Sequence, residues 1–257
     1  MSGPSLAELK ASGQPPAVIE RLNDEHWAGR LYMRRVSPRA TWVFARLGWS
    51  PNMVTVGFIV CGVAAGVVVA FGGLWPAIVA AVLIQAYLLL DCSDGELARW
   101  SGKFSATGIY LDLMGHYFGE AALLAGLGFR AQGHLTVSGA YVTAGLAAAL
   151  LAMLVKAETD TVIAARAKSG LASTHQDEAL APRGTGLALA RRLASALRVH
   201  RAVQAVELSI LILIAAVIDT IAGGLTATRV LVVACLIIAA LMVVAHLVAI
   251  VASRRLR

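Results

Sequence analysis

Six apolar segments dominate this chain, and each is long enough to cross a lipid bilayer. A membrane-spanning helix needs about 20 mainly apolar residues. In lipid, only a helix or a closed barrel satisfies every backbone N–H and C=O group. The sequence therefore predicts an all-α integral membrane protein with six transmembrane helices. The segments lie near residues 52–73, 76–98, 105–128, 135–156, 204–223 and 228–251.

Composition supports this class and excludes an ordinary soluble domain. Of the 257 residues, 58% are hydrophobic and only 14% are charged, whereas soluble domains carry about 25% charged residues. The net charge of +7 is consistent with a nucleic-acid partner, but the positions of the charges indicate membrane topology instead. The three cysteines lie inside apolar segments, so no disulfide is predicted.

The basic residues are distributed unequally between the two sides of the predicted bundle. With six spans, 20 of the 22 Lys and Arg residues lie on the side of both termini, and only Arg130 and Arg229 lie opposite. Loops rich in Lys and Arg stay in the cytoplasm. We therefore expect a multi-pass protein of the inner (plasma) membrane with both termini cytoplasmic. A basic segment at 183–201 is expected to face the membrane surface, the alternative being a phosphate contact for an anionic acceptor. Its arginines are Arg183, Arg191, Arg192, Arg198 and Arg201.

The first 50 residues are polar and rich in arginine, with aromatic side chains among the charges. Residues 1–50 are predicted to form a cytoplasmic, juxtamembrane amphipathic region, and residues 51–257 the six-helix transmembrane domain. Basic helices with an aromatic face lie in the headgroup layer of a bilayer, so we expect one or two surface helices here. The aromatic and apolar residues are Trp27, Leu31, Trp42, Phe44 and Trp49.

Acidic residues inside two of the apolar segments are the strongest functional signal. Asp91 and Asp94 are three residues apart and share a face of the second predicted helix, and Asp112 and His116 share a face of the third. The midpoint of the connection 99–104 is equally far from Asp91 and Asp112. An antiparallel hairpin would therefore bring these side chains to one level, close to the cytoplasm. Ionisable groups at membrane depth are costly and usually functional.

The chemistry of this cluster suits a hard divalent cation and a phosphate. Carboxylates with one imidazole and no cysteine favour Mg²⁺ or Mn²⁺, and such ions bind bridging phosphates. Gly95 and Ala98 leave a shallow groove along the same helix. Arg99 supplies a bidentate donor suited to a phosphate at the end of that helix.

These residues resemble the CDP-alcohol phosphotransferase family. The family signature DxxDGxxARx8Gx3Dx3D is matched at seven of its eight defined positions, and Ser50–Thr55 is similar to the Pro-Asn-x-x-Thr motif that opens the first span of family members. The resemblance covers residue 50 to the C-terminus and is weak after about residue 160. The matching positions are Asp91, Asp94, Gly95, Ala98, Arg99, Gly108 and Asp112.

The resemblance implies a reaction in phospholipid biosynthesis. A metal-dependent transferase of this family moves a substituted phosphate from a CDP-linked lipid donor, usually CDP-diacylglycerol, to an alcohol acceptor and releases CMP. The acceptor is left open among inositol phosphate, glycerol phosphate, serine and a sugar phosphate. The resemblance also implies one or two Mg²⁺ or Mn²⁺ ions, a homodimer, and an active site facing the cytoplasm.

The resemblance assigns roles to individual residues of this sequence. Asp91, Asp94, Asp112 and His116 would hold metal, with Asp112 and His116 as the catalytic pair. Lys156 is similar to the basic residue at the end of the fourth span in members that use inositol phosphate. Substrate would contact Asn52, Thr55, Gly95, Ala98, Arg99, Gly108 and Lys156.

One position departs from the family pattern. The eighth defined residue, an aspartate in the family and its proposed general base, is His116 here. A neutral imidazole can accept a proton near pH 7 and can bind a metal, although nitrogen is a poorer Mg²⁺ ligand than a carboxylate. Glu120 follows one helical turn later. We expect it to accept a hydrogen bond from His116 and fix the tautomer, the alternative being simple bonding between helices.

Two other functions stay open at this point. A catalytically impaired relative could keep CDP-nucleotide or metal binding without turnover. A small-solute transporter would instead carry ionisable groups in two related halves near the bilayer midplane. The acidic residues here lie on one hairpin near one face, which favours the transferase over the transporter.

Overall fold

The computed structural model describes residues 5–16, 27–170 and 203–252, and in these ranges the chain forms helices and no strand. A short N-terminal helix and a π-helical segment precede a second helix, after which six long helices follow. The elements are α1 (Leu6–Gly13), the π-helical segment (Gly29–Met33), α2 (Arg34–Arg46), α3 (Pro51–Val69), α4 (Leu74–Ser101), α5 (Ala106–Gln132), α6 (Ala140–Lys168), α7 (Ala205–Ala222) and α8 (Thr226–Ala252).

Within the ranges that the structure describes, five helices are long and apolar enough to cross a membrane, namely α3, α4, α6, α7 and α8. The chain is therefore a multi-pass membrane protein in its architecture. The remaining predicted span corresponds to α5, which has 27 residues and is about 40 Å long at 1.5 Å per residue. No 18-residue stretch of it is as apolar as those of the other five, since Asp112, Glu120 and Arg130 are spread along the helix.

Local sequence signals fix the ends of the helices that carry the acidic residues. Ser50 accepts a hydrogen bond from the Met53 amide at the start of α3, with Pro51 as its first residue, a favoured helix start. Ser105 caps α5 in the same way through the Gly108 amide. Gly102 ends α4 in the left-handed conformation, with φ of 67°. The connection between α4 and α5 is therefore short, as the predicted hairpin requires.

The centre of the bundle is formed by α3, α4 and α5, with α6 packed on α5 and α8 on α6. Glycines permit the closest crossing, between α3 and α5. A Cβ atom on Gly66 would lie 2.3 Å from the Ala122 carbonyl carbon, and one on Gly126 would lie 2.1 Å from the Gly66 oxygen. Small residues let membrane helices approach in this way. Gly62 allows the same approach, because a Cβ there would lie 2.9 Å from the Gly119 Cα atom.

The opposite end of the bundle contains buried polar groups that are internally satisfied. Asp219 is 5% exposed, and its carboxylate accepts hydrogen bonds from the Ala227 and Thr228 amides at the start of α8. Arg130, also buried, donates from Nη1 to the Gly73 carbonyl at 2.8 Å. These groups close the turns between helices.

The N-terminal helices pack on the end of α4 that carries the acidic residues. Both α1 and α2 contact α4, and they contact each other. Ser37, Pro38 and Thr41 form the buried face of α2. The basic segment predicted at 183–201, including Arg191 and Arg192, lies outside the described residues.

Candidate active site

The hairpin formed by α4 and α5 brings two carboxylates and the imidazole together. His116 Nε2 lies 3.3 Å from Asp91 Oδ1 and 3.9 Å from Asp112 Oδ1. One ligand atom from each of the three residues lies within 4.8 Å of the others. The side chains are 24%, 45% and 35% exposed for Asp91, Asp112 and His116, so solutes can reach them. We call these three residues the acidic cluster.

Tyr87 determines which way the imidazole faces. Its hydroxyl oxygen lies 3.0 Å from His116 Nδ1, and the Tyr87 side chain is buried against Phe58, whose ring also meets the imidazole edge-on. Since Nδ1 faces this hydroxyl, Nε2 is the nitrogen directed at Asp91 and Asp112. Tyr87 lies one helical turn before Asp91 on the same face of α4.

Asp94 lies beside the acidic cluster but has a different environment. It is 7% exposed, and its Oδ2 accepts a hydrogen bond from the Thr55 hydroxyl at 2.7 Å. Among the described residues, Asp94 is not part of the group whose ligand atoms lie within 4.8 Å. Of the four residues predicted to hold metal, the structure thus brings three together and places the fourth against α3.

A cavity of about 430 Å³ opens beside the acidic cluster. Its volume falls in the range of small-molecule sites. Six of the seven residues predicted to contact substrate line it, and so do all four predicted metal ligands. The lining residues that the sequence had assigned to the site are Asn52, Thr55, Asp91, Asp94, Gly95, Ala98, Arg99, Gly108, Asp112 and His116.

Two glycines of the signature create space for side chains of the protein itself. A Cβ on Gly108 would lie 2.9 Å from Asn52 Oδ1, and a Cβ on Gly95 would lie 3.1 Å from Arg99 Nη1. Gly108 therefore allows the side-chain amide of Asn52, on α3, to lie against α5. Gly95 lets the Arg99 guanidinium fold back along α4 into the wall of the cavity.

Glu120 and Lys156 lie elsewhere and pair with each other. Glu120 Oε1 is 3.2 Å from Lys156 Nζ, and neither residue lines the cavity just described. The predicted hydrogen bond from His116 to Glu120 is replaced, because Tyr87 faces Nδ1 and Asp91 faces Nε2. Glu120 binds the full positive charge of Lys156 more strongly than it would bind a neutral imidazole ring.

A second polar group surrounds this ion pair on α5 and α6. The Tyr117 hydroxyl donates to Asp160 Oδ2 at 2.7 Å, and Lys156 Nζ lies 5.8 Å from the centre of the Tyr117 ring. We call Tyr117, Glu120, Lys156 and Asp160 the paired cluster. Each of its carboxylates contacts a donor of the protein, which is the arrangement expected of structural polar groups.

Sequence reasoning missed several residues of the cavity and its surroundings. Arg34 and Gly29 line the cavity from the N-terminal region, and Lys103 and Phe104 line it from the α4–α5 connection. No spacing rule links residue 34 to residue 91, so the sequence contains no pattern that assigns Arg34 to the cavity. Tyr87 did have one, the four-residue interval to Asp91.

Neither a comparison with models of known protein families nor one with curated protein sequences finds a match for this chain.

Proposed function

We propose that this protein is a CDP-alcohol phosphotransferase that moves a lipid-bearing phosphate from CDP-diacylglycerol to an alcohol and releases CMP. The observation that carries the proposal is the convergence of Asp91, Asp112 and His116 at a cavity lined by the other signature residues. The signature alone is a linear pattern. Its residues come from α4 and α5 and line one cavity with Asn52 and Thr55 of α3, which supports a common purpose for them.

The residues of the acidic cluster fit a divalent cation. Metal–oxygen and metal–nitrogen distances of about 2.1 Å allow two ligand atoms on one ion to lie up to ~4.2 Å apart. One carboxylate oxygen of Asp91 and one of Asp112 lie within 4.8 Å of each other, which is close to that limit. A bound Mg²⁺ or Mn²⁺ would neutralise charge on the donor pyrophosphate and on the departing CMP. Asp91 and Asp112 are the residues that we assign to it.

His116 is assigned to the acceptor hydroxyl rather than to the ion. Nε2 is the ring nitrogen of His116 that faces Asp91 and Asp112. A single nitrogen cannot bind a metal ion and a proton at the same time. In the proposed step the acceptor oxygen forms a bond to the phosphorus that carries diacylglycerol. The bond from that phosphorus to the pyrophosphate bridging oxygen breaks, and CMP leaves with the electron pair. The hydroxyl proton passes to Nε2 of His116.

The donor nucleotide would occupy the rest of the cavity. Arg99 lies in its wall with two guanidinium nitrogens near Gly95, which suits a phosphate. Asn52 lies at the same cavity and offers an amide for a pyrimidine edge. Thr55 holds Asp94 through its hydroxyl, so its proposed contribution is to orient that carboxylate.

The proposed topology has six spans, namely the five helices named above and α5. Two charged residues of α5, Glu120 and Arg130, are 5% and 2% exposed, and Asp112 lines the cavity, which makes the span compatible with lipid. Both termini and the cavity would then face the cytoplasm. We further propose that α2 lies at the membrane surface, because its outer face combines arginines with exposed apolar side chains. These apolar residues are Val36 and Val43 on α2, and Leu47 and Trp49 follow directly after its end.

The function is tested by CMP release from purified protein. CDP-diacylglycerol is supplied with each of four acceptors, namely inositol phosphate, glycerol phosphate, serine and a sugar phosphate, and with Mg²⁺ or Mn²⁺. We expect CMP release that needs both an acceptor and a metal and that stops on chelation. CDP binding without CMP release for any acceptor would favour the catalytically impaired relative instead.

A further inference from the structure

Glu96 is a fully buried carboxylate that belongs to the signature segment but points away from the acidic cluster. None of its side chain is exposed, and it lies two residues after Asp94, on another face of α4. Burying a carboxylate is costly unless hydrogen bonds compensate it. The donors that surround Glu96 therefore indicate what this part of the molecule is built to hold.

Those donors come from both N-terminal elements. Gln14 Nε2 donates to Glu96 Oε1 at 2.8 Å and to the Arg34 carbonyl at 2.9 Å, so both of its amide hydrogens are used. Ser37 Oγ lies 2.5 Å from the same Oε1, and Thr41 Oγ1 lies 2.7 Å from Oε2. One carboxylate thus joins the residue that follows α1 to the buried face of α2.

The segment held in this way contacts the cavity through its backbone. Arg99 Nε donates to the Gly13 carbonyl at 2.7 Å, and Gly13 directly precedes Gln14. A Cβ on Gly13 would lie 3.2 Å from Glu96 Cβ, so the missing side chain permits this close approach. The same guanidinium carries Nη1 toward Gly95 in the cavity wall.

We propose that Glu96 is a positioning residue for the donor cavity. It holds the segment Ser5–Gln14 on α4, and the Gly13 carbonyl at the end of that segment fixes the Arg99 guanidinium across Gly95. The N-terminal helix α1 then supports the substrate site through its last residue, Gly13. The predicted effect on donor binding rests on the function proposed above, whereas the restraint on Arg99 does not.

Glu96→Ala and Glu96→Gln form a matched pair that separates bonding from charge. Both remove one negative charge. The glutamine amide oxygen can still accept from Gln14 and Ser37, and its NH₂ can donate to Thr41, whose hydroxyl also lies 2.9 Å from the Ser37 carbonyl. Alanine loses all of these bonds. Gln14→Ala breaks the same connection from the α1 side without any change of charge, and it serves if Glu96→Ala does not fold.

The first measurement is the reactivity of Arg99 in the full-length protein. An arginine-specific dicarbonyl reagent is applied, modification of Arg99 is followed by mass spectrometry, and hydrogen exchange of residues 5–14 is followed in parallel. We expect Glu96→Ala and Gln14→Ala to raise both rates about tenfold, as expected when a hydrogen bond to a charged group is lost. Glu96→Gln should stay within about threefold of the wild type. Equal rates in all variants, or an equal rise in Glu96→Ala and Glu96→Gln, would overturn the proposal.

The second measurement is CDP affinity in a double-mutant cycle. Glu96→Ala should weaken CDP binding about tenfold, and the same change in an Arg99→Ala background should have an effect below about twofold, since its target is absent. Additive losses would mean that Glu96 does not act through Arg99. If the wild type itself fails to bind CDP, the proposed function is wrong at that step, and Arg99 reactivity still decides the role of Glu96.

Discussion

Two groups of carboxylates in one helical bundle have opposite surroundings. In the acidic cluster, Asp91 and Asp112 face each other across His116 and are partly open to a cavity. In the paired cluster, Glu120 contacts Lys156 and Asp160 contacts Tyr117. Both groups use residues of α5, so sequence position on a helix does not distinguish them.

The difference lies in what compensates the negative charge. Each carboxylate of the paired cluster contacts a donor on a neighbouring helix, which is how polar groups stabilise a membrane protein. Among the described residues, the close ionisable partner that Asp91 and Asp112 share is the His116 imidazole, and both carboxylates are partly exposed to the cavity. In the proposed function, a divalent cation would bind these two carboxylates. The following substitutions test this distinction.

The largest effect is expected from Asp91→Asn. Removing one of two carboxylates that hold the cation should lower CMP release roughly a hundred- to a thousandfold, as does loss of a main electrostatic contact in other active sites. Asp160→Asn is the matched control, because it makes the same change in the paired cluster and should stay within about threefold. CMP release with Mg²⁺ is the measurement. Equal losses in the two variants would remove the distinction between the clusters.

His116→Asn and His116→Asp sharpen the role given to the acidic cluster. The asparagine cannot accept the proton, so CMP release should fall about a hundredfold, while Mn²⁺ affinity changes less than about threefold. The aspartate can accept it and should retain activity with Mg²⁺ and Mn²⁺. A tenfold loss of Mn²⁺ affinity in His116→Asn would instead make Nε2 a metal ligand. An inactive His116→Asp would show that the imidazole has a role that a carboxylate cannot fill.

The sequence predicted the helical hairpin better than it predicted individual contacts. Apolar length and the intervals around Asp91 and Asp112 are local properties, and they were enough to bring these residues to one level. Contacts between distant segments have no such signal, so Arg34 at the cavity was missed. Glu120 was assigned to His116 by its four-residue interval. That interval holds, but Lys156 on α6 competes successfully for the carboxylate.

A smaller effect is expected from Tyr87→Phe. The change removes only the hydroxyl that faces His116 Nδ1 at 3.0 Å, so the ring is held less firmly. Loss of a partner that orients a catalytic imidazole costs about tenfold in activity. The expected result is a lower kcat with little change in the KM for CDP-diacylglycerol. Tyr117→Phe is the control, since it removes a hydroxyl from the paired cluster. A larger loss in Tyr117→Phe would reverse the comparison.

The smallest catalytic effect is expected from Glu120→Gln, whose cost should appear in stability instead. The substitution leaves Lys156 without its charged partner at 3.2 Å, and Glu120 is only 5% exposed. Breaking a buried pair from one side is destabilising because the other charge remains. We expect a thermal midpoint lower by several degrees in detergent, with Mn²⁺ affinity and CMP release within about threefold of the wild type.

Glu120→Gln with Lys156→Met removes both charges and should recover much of the midpoint. A loss of Mn²⁺ affinity in Glu120→Gln with an unchanged midpoint would instead join Glu120 to His116, as its spacing first indicated.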